Sequence, residues 1–237
     1  MSGSAGITGW AQIRGACVRG LDHAHAGEPG QDAAAVAYQG DEILLTVADG
    51  VGSHTTSQFA AAIATQEVAS LVFNGEKHRN PRRRLREAYR RAAATITREI
   101  NYGRDPGSTT LVSALLRIVN NTIEVDLAAV GDSAVWKLCA DGTLEELLCE
   151  HGERTRSLPR TVENIVTAQI LLSPGDVLIL CSDGFTEALN HPDGKYQRYI
   201  GDHWKSPPQE IDFAADVMFD ADFLYDDRTA LAAWSHK

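Results

Sequence analysis

Three apolar runs in this chain end in the same way. ILLTVADG runs from Ile43 to Gly50, LAAVGDS from Leu127 to Ser133, and VLILCSDG from Val177 to Gly184. The runs are short and lack a helical period, so each reads as a buried strand. Each delivers an aspartate (Asp49, Asp132, Asp183) to the strand's end, where a side chain can leave the core and meet solvent. A single strand-Asp-Gly is most often a turn. Three of them in one chain can converge on one point, and clustered carboxylates repel one another and raise each other's pKa unless a cation sits among them. Oxygen-only donor sets suit hard divalent ions such as Mg²⁺ or Mn²⁺. Gly50 and Gly52 let the backbone turn sharply after Asp49 and let a ligand approach main-chain carbonyls.

The chain has 237 residues and no visible repeat or linker, which suits one domain over residues 1–237. Residues 1–9 are small and read as a flexible end. The net charge of −10 argues against a nucleic-acid or anionic-membrane partner. Four cysteines, at 17, 139, 149 and 181, form no C-x-x-C pair; Cys17, Cys139 and Cys181 lie in apolar runs and read as small core residues. That usage fits a reducing cytoplasm, and no signal peptide or transmembrane run is evident.

Gln12 to Arg19 alternates like a half-buried strand, and a Gly- and His-rich loop follows from Leu21 to Asp32. A strand, AAAVAY, and a tight turn at Gln39 to Glu42 lead into the run ending at Asp49, which places Asp32 and Asp49 side by side. Helices are expected over Thr56 to Phe73 and Pro81 to Asn101. The second carries RRRLREAYRR, either a solvated face or a docking surface for an acidic partner. Strands over Ser108 to Val119, Thr122 to Val130, Ala134 to Cys139 and Leu144 to Leu148 read as an antiparallel meander. Glu150 to Asn164 reads as a surface loop or small flap, with strands at Ile165 to Leu172 and Val177 to Cys181 after it. A helix near Phe185, an irregular stretch from Gly194 to Pro208, a helix over Gln209 to Phe219 and a strand over Thr229 to Trp234 complete the chain. Strand runs broken by helix pairs suggest an antiparallel β core with helices outside.

The ordered set QDAAAV, VADGVGSH, GSTTLVSALL, AAVGDSAVWKL, LSPGDVLILCSDGFTEAL and DDRTALAAW resembles the metal-dependent serine/threonine protein phosphatases of type 2C, the PPM family. The likeness is to its bacterial members with a Gln-Asp first motif. It implies an α+β fold, a four-layer αββα sandwich of two antiparallel β-sheets flanked by helix pairs. It implies hydrolysis of phosphoserine and phosphothreonine by a metal-activated water, with two Mg²⁺ or Mn²⁺ ions, or three. Carried over by motif, Asp49 bridges two ions, the Gly50 carbonyl binds the second, and Asp183 and Asp226 complete the shell of the first. Asp32 binds or positions water, and Asp132 with Asp183 marks a third site. The implied partners are a phosphorylated protein substrate and an opposing Ser/Thr kinase, with the chain itself a monomer.

Two positions depart from that pattern. Gln31 stands where many members have Glu, removing one negative charge beside the second ion. Gly27 stands where the usual phosphate-binding Arg would be; the loop offers Arg19, His23 and His25 instead, either as phosphate and leaving-group contacts or as packing and capping residues. These departures keep two other readings open, an inactive binding module of the same fold and a small-molecule phosphatase. His54 reads as structural, Asp227 as a hydrogen-bonding residue behind the site, and Ser133 and Ser182 as small residues suited to tight strand ends. Arg154, Arg156 and Arg160 in the flap could steer acidic phosphoproteins or do nothing.

Overall fold

A computed structural model describes residues 2–7, 9–51, 56–74, 80–120, 122–150, 155–219 and 225–235. The strands that lead to Asp49, Asp132 and Asp183 are apolar over the residues just before each aspartate because both of their faces are covered there. β1 (Ser2–Ile7), β2 (Ala11–Val18), β3 (Ala33–Gln39), β4 (Glu42–Ala48) and the short β5 (Gly50–Val51) precede two long helices. A short helix, α1 (Leu21–Ala26), lies between β2 and β3. The long helices are α2 (Ser57–Asn74) and α3 (Pro81–Asn101). β6 (Ser108–Thr109), β7 (Leu111–Val119), β8 (Thr122–Val130), β9 (Ala134–Leu138) and β10 (Leu144–Leu148) follow. After a 3₁₀ turn at Val162–Asn164 come β11 (Val166–Leu172), β12 (Val177–Cys181), α4 (Asp183–Leu189), α5 (Lys195–His203), α6 (Glu210–Met218) and β13 (Arg228–Ser235).

Two antiparallel sheets result, one ordered β1-β2-β13-β12-β9-β10 and the other β11-β8-β7-β4-β3. Alternation along β4 shows how they stack. Ile43, Leu45 and Val47 enter the core between the sheets with Val112, Leu116, Leu178, Leu180 and Leu231. Leu44 and Ala48 face the other way, onto α2 and α3, with Ala64, Val68, Leu85 and Ile96. The outer face of the six-stranded sheet, with Trp136, Ile179 and Trp234, is covered by Phe185, Ile200 and Phe213 from α4, α5 and α6 and by Trp204 at the end of α5. The layers are therefore helices, sheet, sheet, helices, as the resemblance implies. One polar cluster lies under α3. Tyr89 Oη donates to the Ala128 carbonyl at 2.7 Å, and Thr46 Oγ1 lies 2.9 Å from Ser113 Oγ, so these buried hydroxyls have partners.

Five expectations need correction. Residues 2–7 are not a frayed end; they pair along β2 from Ser2↔Cys17 to Ile7↔Gln12. The His-rich loop contains α1, whose end is capped by Gly27 at φ 71°, a left-handed conformation that glycine adopts without strain. The four middle strands are two hairpins rather than one meander: β7–β8 lies in one sheet and β9–β10 in the other. The stretch from Gly194 contains α5, stapled by Trp204, which stacks 4.5 Å from Phe213. Of the three cysteines read as core, only Cys181 is buried; Cys17 and Cys139 are half-buried, and all four are free thiols.

Candidate metal centre

Ala33 pairs with Ala48, so Asp32 and Asp49 leave adjacent strands at the same end of one sheet. Cys181 pairs with Ala134 and with Ala230, so Asp132, Asp183 and Asp226 leave the matching end of the other. The aspartates thus meet where the two sheets open.

Asp49 is held by its backbone, leaving its carboxylate unconstrained by the protein ladder. Its N–H donates to Thr110 Oγ1 at 3.1 Å, and its carbonyl accepts from Thr110 N and Thr109 Oγ1, both at 2.8 Å. Thr110 Oγ1 in turn lies 2.7 Å from Ser133 Oγ, which ties the Asp132 turn to Asp49. A Cβ on Gly50 would sit 2.8 Å from Ser57 C and 2.9 Å from the Gln31 carbonyl, so that position admits no side chain.

Asp32 Oδ2 accepts from Ser182 Oγ at 2.8 Å, and the same hydroxyl accepts from Thr229 N at 2.9 Å. Asp32 Oδ1 and Asp183 Oδ1 are buried with no hydrogen-bond partner among the described residues. Burial, then the neighbouring Asp227 and Asp183 charges, push the Asp32 carboxyl well above the usual carboxylate range. Burial, then Asp32 and Asp183, do the same to Asp49. Asp49 and Asp183 lie within hydrogen-bonding reach of each other; burial and the charges of Asp226, Asp132 and Glu187 lift Asp183 to about 6. Buried, unpartnered carboxylate oxygens crowded by like charge are the donor set a hard divalent cation resolves. The residues present fit such an ion.

Asp227 acts as a clamp behind this group. It is 3% exposed. Its Oδ1 accepts from Gly20 N at 2.6 Å and its Oδ2 from Gln31 N at 2.5 Å, tying the start of α1 and the residue before Asp32 to β13. His23 Nδ1 lies 3.1 Å from Asp227 Oδ2, and His23, Asp226 and Asp227 each offer a donor atom within 4.8 Å of the others. With both Asp227 oxygens already accepting amide protons, this trio reads as the edge of the carboxylate centre rather than a second one. Backbones approach so closely here that a Cβ on Gly20 would collide with Tyr225 O and Asp226, and one on Gly184 with Asp227 O.

The other candidates sit at the periphery. Arg19 Nη1 donates to the Glu28 carbonyl at 3.2 Å, bridging the ends of the α1 loop. His25 is exposed, on the same helix as His23. Asp132 Oδ2 accepts from Thr155 Oγ1 at 2.7 Å. The flap is anchored rather than loose, since Leu158 is buried and exchanges backbone hydrogen bonds with Thr109 at 2.8 and 3.1 Å. Arg156 pairs with Glu150 and Arg160 is exposed, while Arg154, His54 and Gly52 lie outside the described residues.

Sequence reasoning missed two contributors. Glu187 stands one helical turn after Asp183 on α4; burial, then Asp226 and Asp132, raise its carboxyl. Its signal is the i, i+4 spacing in DGFTE, which falls on one helix only because α4 begins at Asp183 rather than near Phe185. Ser182 was read as a small residue, yet its hydroxyl joins Asp32 to β13. Ser182→Ala strands both buried partners, so a loss of about 1–3 kcal/mol in stability is expected. Urea unfolding checks it, and an unchanged midpoint would show that water replaces the hydroxyl.

The sequence profile of the family described as Protein phosphatase 2C matches residues 19–218. Three solved structures share the fold at low identity. The catalytic domain of the serine/threonine phosphatase PstP, in complex with two manganese ions, is 19% identical, with 96% of this chain and 99% of that one covered and a TM-score of 0.71. Stp1 from Staphylococcus aureus is 19% identical, with 94% of each chain covered and a TM-score of 0.72. RsbX in complex with magnesium is 14% identical, with 99% and 100% covered and a TM-score of 0.69. A comparison with curated protein sequences finds no match.

Proposed function

The chain belongs to the protein phosphatase 2C family, and we propose that its carboxylate centre hydrolyses phosphoserine and phosphothreonine in protein substrates. The observation behind this reading is the meeting of Asp32, Asp49 and Asp183 at the open ends of two sheets, with two carboxylate oxygens unpartnered. The activity is that of a divalent-metal-dependent phosphoric monoester hydrolase. Asp49 would be shared between two ions, Asp183 and Asp226 would complete one shell, and the Gly50 carbonyl would serve the other. Asp132, with Asp183 and Glu187, would hold a third. Mg²⁺ or Mn²⁺ bound there supplies an acidified water and neutralises charge on the phosphoryl oxygens.

The chain's own residues do the rest. Asp32, fixed through one oxygen by Ser182, has its other oxygen free to orient the attacking water. Hydrolysis forms a bond from the water oxygen to phosphorus, breaks the ester P–O bond, and returns a proton to the serine or threonine oxygen. His23, whose ring lies beside Asp226 and Asp227, would give that proton in preference to the exposed His25. Arg19 has guanidinium donors beyond the one used on Glu28 for the phosphoryl oxygens. No helix among the described residues is long and apolar enough to cross a membrane. We place the protein in the cytoplasm, as a monomer opposing a Ser/Thr kinase.

The direct test is release of phosphate from a phosphothreonine peptide and from p-nitrophenyl phosphate with Mn²⁺, with Mg²⁺ and with EDTA. Turnover with either ion, lost in EDTA, is expected. Folded protein that is silent on both substrates with metal present would overturn the reading and favour a binding module. Preference for sugar phosphates or nucleotides would favour a small-molecule enzyme.

A further inference from the structure

The charge on α3 does not follow the rest of the molecule. The chain carries −10 overall, yet six of its 22 lysines and arginines fall between residues 82 and 91. Arg84 is buried against Glu42, with its two nitrogens 2.9 and 2.7 Å from the carboxylate oxygens, and is structural. Arg91 pairs with Glu87 on its own helix. The remaining four line a surface cleft of about 450 Å³ between the start of α3 and β11, with Asn80 and Thr167 as the other walls.

Little inside the protein neutralises that cleft. Arg82 lies 3.5 Å from Asp126, and Asp126 already accepts from Arg117 at 2.7 Å. Arg86 is held by a neutral partner, Thr167 Oγ1, at 3.1 Å. Arg83 and Arg90 are exposed and have no carboxylate partner among the described residues. The helix N-terminus is itself capped, since Asn80 Oδ1 accepts from Arg82 N at 3.0 Å and Arg83 N at 3.4 Å. The site is therefore made of guanidinium groups, not of free amides.

We propose that this cleft docks an acidic, Asp- or Glu-rich segment of the phosphoprotein substrate, away from the phosphorylated residue. Arg82, Arg83, Arg86 and Arg90 form a stripe about 12 Å long at 1.5 Å per residue. An extended peptide repeats side chains on one face about every 7 Å. Two or three carboxylates at alternate positions therefore span the stripe, and planar guanidinium forks suit them. A single phosphate dianion would engage only part of it. Duplex nucleic acid and anionic membrane are large surfaces that the −10 net charge repels outside this one patch. The identity of the partner rests on the phosphatase reading above; the anion preference of the cleft does not.

The test uses a dye-labelled, unphosphorylated peptide with Glu at alternate positions, followed by fluorescence anisotropy at low salt. The full chain is expected to bind it. Arg83→Gln/Arg86→Gln/Arg90→Gln is expected to bind about tenfold more weakly, on the scale of losing three exposed ion pairs, while the triple Arg→Lys variant, which keeps the charge and loses the fork, falls between that variant and wild type. Hydrolysis of p-nitrophenyl phosphate should be equal in wild type and both variants. Equal peptide affinity in wild type and the Gln variant would overturn the proposal. So would tighter binding of duplex DNA or anionic vesicles than of the peptide. Inactivity on p-nitrophenyl phosphate in every protein would defeat the phosphatase reading alone, because the anisotropy still decides the cleft.

Discussion

Asp49→Asn is expected to slow turnover on a phosphothreonine peptide at least ~10²-fold, with Mn²⁺ in excess. Asn keeps the size of Asp and removes the charge. The backbone bonds from Thr109 and Thr110 that position residue 49 do not involve its side chain, so the local fold should hold. Burial, then Asp32 and Asp183, hold the Asp49 carboxyl well above the usual carboxylate range, so a neutral Asn removes the cost of ionising a group at that position. Lower turnover should thus accompany a metal-free stability equal to or above wild type. That pairing distinguishes a lost ligand from a damaged fold. Near-normal kcat would remove Asp49 from the shared position. A large fall in metal-free stability would make its role structural.

The parts of the site legible in the sequence were those written by burial. β4, β8 and β12 lie between a helix layer and a second sheet, so the run of positions just before the chain emerges (Val47-Ala48, Leu127 to Val130, Val177 to Cys181) is apolar. The emerging Asp therefore stands out. The register that sets Asp32 beside Asp49 followed from the short turn at Gln39 to Glu42, which leaves little freedom in pairing. What escaped had no such pattern. β1 is SGSAGI, whose strand identity comes from backbone pairing with β2. α5 lies between Gly194 and Pro208, residues that read as breakers, although Tyr196, Ile200 and Trp204 keep a four-residue spacing. Gly201 inside it serves packing, since a Cβ there would collide with the Gly142 carbonyl. The role of Ser182 has no local signal because its partner, Asp32, lies 150 residues away, whereas Asp227 was legible as a hydrogen-bonding residue although its partner Gly20 lies 207 residues away.

Chelation should abolish turnover and also change how stability responds to pH. In the metal-free chain, Asp32, Asp49 and Glu187 are raised and Asp183 is lifted to about 6, each chiefly by burial and then by its neighbours. In the unfolded chain the same groups ionise near 4. Between roughly pH 4 and pH 6 and above, the folded state therefore holds protons that the unfolded state has released. The contribution of these groups is fully present below about pH 4 and is lost as pH rises through their folded values. Mn²⁺ replaces those protons, so its binding weakens in acid and strengthens toward neutrality. At a free concentration a hundred times its dissociation constant it adds about 2.7 kcal/mol. Urea midpoints at pH 5, 6, 7 and 8 should then diverge, with the EDTA series falling further below the Mn²⁺ series at each step. Titrations elsewhere in the protein, its eight histidines included, shift both series alike and cancel in the difference. Asp49→Asn should narrow the gap, because it removes both a raised carboxyl and a ligand. Parallel series would mean that the carboxylates do not hold the ion, whatever the assay for phosphate release shows.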